Sequence, residues 1–280
     1  MPRIEDQLLD SVIYLYPSKQ AAEDGERAGG TGFLVGMPTS QSQGSVYLYA
    51  VTAGHVVREA LGNSPVVRFN TRDEKVEISV FTTDQWVHHP NADDVAICPV
   101  VLAPDRFKYS FVPYSSLITD RQFCEDPKYG PGDDIFFLGR FVSHEGKTQN
   151  RPTVRFGNLA MRGTQVIKSD VGILQESFLV ESRSLSGYSG SPVFVYRPQG
   201  TYAGSLAPIA GPHLLGVDCG HLSEYAPVLE EDRQRSTENL YVKQNSGMAI
   251  VVPGWKLAEL LDSEEVERQG RATNTTAPGC

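Results

Sequence analysis

The sequence predicts an all-β fold made of two six-stranded antiparallel β-barrels followed by one C-terminal helix. Short apolar runs recur along the 280 residues and are separated by many of the 26 glycines and 18 prolines. Such punctuation is typical of short strands and turns rather than of long helices. The runs fall into two sets of six, and each set matches one antiparallel barrel.

The first set of runs predicts a first barrel over about residues 11–101. Its strands are rich in β-branched and aromatic residues and are predicted at 12–16, 31–37, 45–51, 65–70, 75–81 and 95–101. Residues 102–131 show little hydrophobic period and contain several prolines, so they predict an ordered connection between the barrels.

The second set predicts a second barrel and a closing helix over residues 132–262. The strands are predicted at 134–140, 153–160, 177–181, 192–196, 213–218 and 247–252. Apolar residues then follow helical spacing over 253–261, which predicts the helix. We expect one domain over residues 1–262 and a flexible polar tail at 263–280.

Charge and hydropathy exclude several classes of partner. The chain has 25 basic and 34 acidic side chains and a net charge of −9. Phosphate binding needs a basic face, so we expect no nucleic acid and no membrane partner. No stretch reaches the roughly 20 apolar residues that span a bilayer, and the apolar run at 11–16 is too short for a signal sequence.

The cysteines predict a reducing compartment. Cys98, Cys124, Cys219 and Cys280 lack the close spacing of a disulfide framework or a metal site. We interpret them as free thiols and predict a cytoplasmic protein. The acidic pairs also lack a matching ligand set, so no metal and no cofactor is expected.

The segment 186–194 is the strongest chemical signal in the chain, because it places Ser189 between glycines just before an apolar strand. A serine hydroxyl attacks a carbonyl only when a base is aimed at it and amide N–H groups receive the oxyanion. Gly187 and Gly190 provide backbone freedom for such a pocket. A plain turn between two strands is the alternative interpretation.

Two further residues could serve this serine as base and orienting group. His55 follows the strand at 46–51 and begins a short helical turn, and Asp94 directly precedes the apolar strand at 95–101. A structural histidine and a strand-initiating turn are the alternatives. We predict that the neighbouring Asp93 is a solvated turn residue. His88 and His89 precede no matching motif, so neither is assigned a catalytic role.

The order His55, Asp94, Ser189 resembles that of the chymotrypsin-like (trypsin-fold) serine peptidases, of the bacterial trypsin-like peptidase domain type. The resemblance covers about residues 11–261 and includes the segments 30–35, 214–217 and 247–253. It implies two barrels with the active site between them. It also implies that Ser189 is the nucleophile, His55 the general base and Asp94 the orienting group, with an oxyanion hole formed by the N–H groups of Gly187 and Ser189.

The chain departs from the family pattern at Tyr188. Zymogen members carry an aspartate at that position, which pairs with a new N-terminal amine after cleavage. A tyrosine cannot form this ion pair, and no Ile-Val-Gly-Gly segment occurs near the start of the chain. The sequence therefore predicts a protein that is competent without removal of a propeptide.

The sequence leaves the specificity of the substrate pocket open. The family resemblance places Arg183, Asp218, Cys219 and His221 near the pocket walls. A cation at Arg183 would favour an acidic substrate side chain, but Arg183 could equally face solvent or pair with Glu181 or Asp218. These residues differ in charge, so no preferred substrate residue is named.

The sequence thus predicts a serine endopeptidase that acts on peptide or protein substrates through an acyl-enzyme. A catalytically silent peptide-binding pseudo-peptidase is the alternative from another class, and an esterase is the alternative within the hydrolases. An activating or sensor partner is compatible with either, and the sequence does not identify one.

Overall fold

The computed structural model describes most of the chain. The described residues are 3–26, 29–39, 45–60, 64–125, 129–141, 146, 148–169, 172–182, 188–196, 212–229 and 236–263, with the backbone alone at 59–60, 164–165, 168 and 236–239. Arg183, Gly187, Cys280 and the predicted tail beyond residue 263 lie outside them.

The N-terminal half forms a curled, mainly antiparallel sheet. Its strands are β1 (Val12–Tyr16), β2 (Gly30–Pro38), β3 (Val46–Thr52), β4 (Val66–Asn70), β5 (Val76–Val80), β6 (Val87–His88), β7 (Ala96–Val100) and β8 (Val112–Pro113). They run in the order β5-β4-β1-β2-β3-β7-β6, and β8 pairs with β2 in parallel. Two short helices accompany the sheet, α1 (Asp6–Leu9) and α2 (Lys19–Asp24).

The C-terminal half forms a closed antiparallel barrel. Its strands are β9 (Asp134–Gly139), β10 (Thr153–Lys168), β11 (Leu174–Glu181), β12 (Pro192–Tyr196), β13 (His213–Leu229) and β14 (Ser236–Pro253). They close in the order β10-β11-β14-β13-β12-β9. Helix α3 (Gly254–Leu261) follows directly.

The structure confirms the all-β class, the six-stranded second barrel and the C-terminal helix. The first sheet differs in detail, because its pairing path among the described residues is open and includes two additional strands, β6 and β8. Each of these has two residues, too few to produce a period-2 pattern. Strands β13 and β14 also continue well beyond the predicted 213–218 and 247–252, as a ribbon with polar residues among its apolar ones.

Polar contacts join strand β4 of the first sheet to the segment that leads into β10 of the barrel. Asn150, which precedes β10, receives a hydrogen bond from Arg68 Nε at 2.8 Å and donates to the Arg68 carbonyl at 2.7 Å. Its backbone N–H also donates to Asn70 at 2.7 Å. Burial lowers the pKa of the Arg68 guanidinium, and these acceptors stabilise the buried cation in place of water.

Helix α3 packs across both halves of the core. Leu257, Leu260 and Leu261 join the larger core cluster, which combines the buried residues of the first sheet with buried barrel residues such as Leu214 and Ile250. Trp255 joins the second cluster, which lies within the barrel. In the described part of the chain, the helices are too short or too polar to cross a bilayer. Cys98 and Cys219 are buried free thiols.

The prediction that Asp93 is a solvated turn residue is wrong. Its side chain is 8% exposed, and its Oδ2 forms close ionic contacts with His89 Nδ1 at 3.0 Å and with Lys256 Nζ at 3.3 Å. The physical reason is that α3, which carries Lys256, packs over this turn. The contact between Asp93 and Lys256 therefore joins the C-terminal helix to the residue next to Asp94.

This contact predicts a pH-dependent contribution to stability. Burial raises the pKa of the Asp93 carboxyl, but His89 and Lys256 outweigh burial and leave that pKa below its ordinary value. A carboxyl with a lowered pKa stabilises the fold above about pH 4 and loses this contribution as the pH falls through the folded-state pKa. We expect Asp93→Asn to lower the free energy of unfolding by about 1 kcal/mol at pH 7, and by less near pH 3.

Urea denaturation at the two pH values measures this difference. Asp105→Asn, at an exposed position, is the matched control and should change stability little at either pH. A loss in Asp93→Asn that is equal at pH 7 and pH 3 would contradict the assignment.

Candidate active site

His55 lies at the end of β3, where the strand becomes a helical turn. Residues 54–60 are helical, with a π-turn over Val56–Ala60. A Cβ on Gly54 would lie 2.8 Å from Arg58 Nη1 and 3.1 Å from Asp94 Oδ1. Glycine at this position therefore lets Arg58 and Asp94 approach the backbone of His55.

Asp94 lies beside His55 because β3 and β7 pair antiparallel. Thr52 is opposite Ala96, so the chains that continue past this pair remain neighbours. The fully buried Asp94 carboxylate accepts the His55 backbone N–H at 2.6 Å and the His55 Nδ1–H at 2.5 Å. A proton held on Nδ1 leaves Nε2 as an acceptor. This is the arrangement of a general base with its orienting carboxylate.

Ser189 lies in a tight turn that leads into β12. The Ser191 N–H donates to the Tyr188 carbonyl at 2.8 Å, and Gly190 adopts φ +90°. The turn is also bonded to β13, since the Gly190 N–H donates to the Asp218 carbonyl at 2.7 Å. Main-chain hydrogen bonds thus hold the turn both within itself and to β13.

The side chain of Tyr188 anchors this turn in the barrel. Its buried ring packs edge-on against Phe137 with centroids 6.3 Å apart, and the Arg155 guanidinium lies 4.9 Å from the ring centroid. Its hydroxyl hydrogen-bonds the hydroxyl of Thr153. An uncharged aromatic anchor therefore holds the residue before Ser189.

The turn that carries Ser189 rests against the first sheet near His55. The Thr31 N–H donates to the Ser189 carbonyl at 2.9 Å. A Cβ on Gly30 would lie 2.8 Å from Val56 Cγ1 and 3.0 Å from the Ser189 carbonyl oxygen. Among the hydrogen bonds of the described residues, none joins Ser189 Oγ to His55. The structure thus brings His55 and Asp94 into contact and places Ser189 in the adjacent turn.

The other predicted site residues are only partly described. Gly187 and Arg183 lie outside the described residues. Asp218 is fully buried, and its N–H donates to the Ser191 carbonyl at 2.9 Å. Cys219 is buried and His221 is half-buried on the same strand. Their role in a substrate pocket stays a prediction.

Sequence reasoning missed Arg58, which contacts the same carboxylate. Arg58 Nη2 donates to Asp94 Oδ1 at 3.2 Å, and Nη1 lies 3.1 Å from His88 Nδ1. Burial, and then the charge of Arg58, lower the pKa of His88, so a neutral His88 accepts from the guanidinium. The spacing of three residues from His55 could have indicated Arg58, because such residues share one helical face.

Gln175 was missed as well, and no sequence pattern indicates it. Its Oε1 accepts the backbone N–H of Asp94 at 2.6 Å from a strand of the opposite barrel. No local spacing relates residues so far apart in the chain, and only the packing of the two sheets brings them together.

The described residues also line two cavities away from the candidate site. Cavities of about 580 and 570 Å³ lie elsewhere on the described surface, and neither is lined by His55, Asp94 or Ser189. No three histidine, cysteine, aspartate or glutamate side chains of the described residues are grouped so as to hold a metal ion.

Comparison with known proteins yields matches in structure only. No family model and no curated protein sequence matches this chain. Among solved structures, the HtrA-type protease AlgW with a decapeptide superposes with a TM-score of 0.51 at 13% identity, over 95% of this chain and 66% of that one. AlgW with a tripeptide gives a TM-score of 0.50 at 14% identity, over 94% and 62%.

These likenesses show the fold. The chain has the chymotrypsin-like architecture of trypsin-like serine proteases, and it spans less than two thirds of the AlgW chains that it matches. At this level of identity the activity of those proteins does not transfer by itself.

The close fit of Gly190 gives a test of the turn. A Cβ on Gly190 would collide with the Thr31 carbonyl oxygen and the Thr52 hydroxyl, at a φ that L side chains rarely adopt. We expect Gly190→Ala to lower the free energy of unfolding by about 3 kcal/mol or more. Urea denaturation measures the loss.

Gly132→Ala is the matched control for backbone strain. Gly132 has a similar φ of +98°, but a Cβ added there would have no atom of the described residues within 4 Å. It should lose only the strain of about 1 kcal/mol. Equal losses in the two variants would show that Gly190 is not closely packed.

Proposed function

We propose that this chain is a serine endopeptidase that hydrolyses peptide bonds through His55, Asp94 and Ser189. The observation that carries the proposal is the buried Asp94 carboxylate, which holds both the backbone N–H and the Nδ1–H of His55 beside the Ser189 turn. The protease fold supports it. The peptides in the AlgW structures support a peptide as the substrate class.

The reaction begins with attack by Ser189. His55 Nε2 removes the proton from Ser189 Oγ as the oxygen attacks the peptide carbonyl, and Asp94 stabilises the imidazolium. The N–H groups of Ser189 and Gly187 are proposed to receive the oxyanion. His55 then protonates the leaving amine, which leaves an acyl-enzyme. Water attacks the ester with His55 as base and restores the free serine.

Arg58 has a supporting electrostatic role in this scheme. A buried carboxylate costs free energy unless donors replace its water. Arg58 adds a cation to the two donors supplied by His55. Its side chain is 38% exposed, so solvent screens its charge and its effect on the site is modest.

Labelling with a fluorophosphonate probe tests the proposed nucleophile. Wild-type protein should be labelled covalently on Ser189, and Ser189→Ala should not. Ser191→Ala is a matched control two residues away and should retain labelling within about threefold. His55→Ala should reduce the rate by at least about 10³, because the base is lost.

Failure of a folded wild-type protein to react with the probe would overturn the proposal that this chain is a serine peptidase. A sample that binds a peptide but neither reacts with the probe nor cleaves the peptide would instead support the silent peptide-binding alternative.

The anchor at Tyr188 predicts activity without proteolytic activation. The residue is uncharged and buried against Phe137 and Arg155, so a new N-terminal amine would find no carboxylate there. We expect the uncleaved 280-residue chain to react with the probe, with an intact mass equal to that of the 280 residues plus one label. Reaction confined to protein that has lost an N-terminal segment would contradict this prediction.

A further inference from the structure

The backbone of Asp94 is held from the opposite half of the molecule. Asp94 precedes β7 of the first sheet, while Gln175 is the second residue of β11 in the barrel. The side chain of Gln175 is buried, and its Oε1 accepts the Asp94 N–H at 2.6 Å. The amide thus crosses the interface between the element that carries His55 and Asp94 and the barrel that carries Ser189.

The other end of the same amide is fixed by Cys219. Gln175 Nε2 donates to Cys219 Sγ at 3.3 Å, and Cys219 Sγ donates to the Ile250 carbonyl at 3.3 Å. Burial raises the pKa of Cys219 well above its ordinary value, so the residue is a neutral thiol that can both accept and donate. This chain of bonds orients the amide with its oxygen toward Asp94.

We propose that Gln175 is a positioning residue for hydrolysis. It fixes the position of the Asp94 backbone and thereby the orientation of the His55 imidazole relative to Ser189. The inference rests on the proposed serine peptidase function. The carboxylate of Asp94 is already committed to His55 and Arg58. Its backbone N–H is the group through which the barrel can fix the orientation of the residue.

The consequence for the reaction follows from the geometry. Without an acceptor, the buried N–H of Asp94 is left unpaired, and the turn will shift toward another partner. A displacement of about 1 Å in a catalytic group can lower a rate by about 10²-fold. Gln175 touches Asp94 and Cys219 rather than Ser189, so the chemical step should suffer while binding of a small probe is unchanged.

Two variants of Gln175 separate its hydrogen bond from its bulk. Gln175→Met keeps a similar side-chain volume but removes the acceptor. Gln175→Glu keeps an oxygen that can accept the Asp94 N–H. Gln20→Met, at an exposed glutamine of α2, is the control for the substitution itself.

The experiment measures the maximal labelling rate and the half-saturating concentration of the fluorophosphonate probe, on the alkaline plateau of the rate, in the full chain. We expect Gln175→Met to lower the maximal rate by about 10- to 100-fold with the half-saturating concentration within about threefold of wild type. Gln175→Glu and Gln20→Met should stay within about threefold of wild type in both constants.

The outcomes separate this inference from the proposed function. A folded wild-type protein that does not react overturns the peptidase and the inference together. A reactive wild type whose rate is matched by folded Gln175→Met overturns only the role of Gln175. If Gln175→Met does not fold, Gln175→Asn decides, because its amide is one methylene shorter and no longer reaches the Asp94 N–H: a maximal rate at least about 10-fold below wild type supports the role, and a rate within about threefold overturns it.

Discussion

The buried carboxylate of Asp94 is the constraint on which the rest of the candidate site depends. An ionised carboxylate removed from water costs several kcal/mol unless hydrogen-bond donors replace its hydration. Here the donors come from one short segment, as the backbone and ring of His55 and the guanidinium of Arg58. Gly54 favours their convergence, because a Cβ there would press on Asp94 Oδ1 and on the end of the Arg58 side chain. One buried charge thus constrains every residue around it.

The same logic extends to the interface between the sheets. Buried polar groups meet there in matched pairs, such as Asn150 with Arg68 and Gln175 with Asp94. Arg140 is buried beside the ring of Tyr16, and burial lowers the pKa of its guanidinium to about 10. Buried hydrogen bonds are directional, so they specify how the halves are aligned more sharply than apolar contact does. Alignment matters in a site assembled from both halves.

Local patterns predicted most of the fold. Strands β1 and β12 agree with their predicted limits because both are short, apolar and bounded by turn residues. Strands β6 and β8 were missed, since two residues carry no periodicity. The ribbon formed by the outer parts of β13 and β14 was missed for a different reason: Tyr225 and Tyr241 are exposed there, so the usual contrast between a buried and a solvated face is weak.

The candidate site was predictable where its functional residues lie in short local sequence motifs. The His55 and Ser189 segments are local motifs, and Asp94 directly precedes a strand. Asp93 was assigned to solvent because its partner Lys256 is far away in the sequence. The contacts of Gln175 depend likewise on packing between distant elements, and local sequence gives no signal for such packing.

The tight packing of Gly190 also bears on how the molecule can move. Its backbone fits against Thr31 and Thr52 with no space for even a methyl group, so the seam between the two halves has almost no free volume at this point. Any motion that separated the two halves here would first have to move Gly190 away from Thr31 and Thr52. We therefore expect the halves to fluctuate as one stiff body near Ser189, with the larger amplitudes at the distal ribbon of β13 and β14, where the chain is held by a single neighbouring strand.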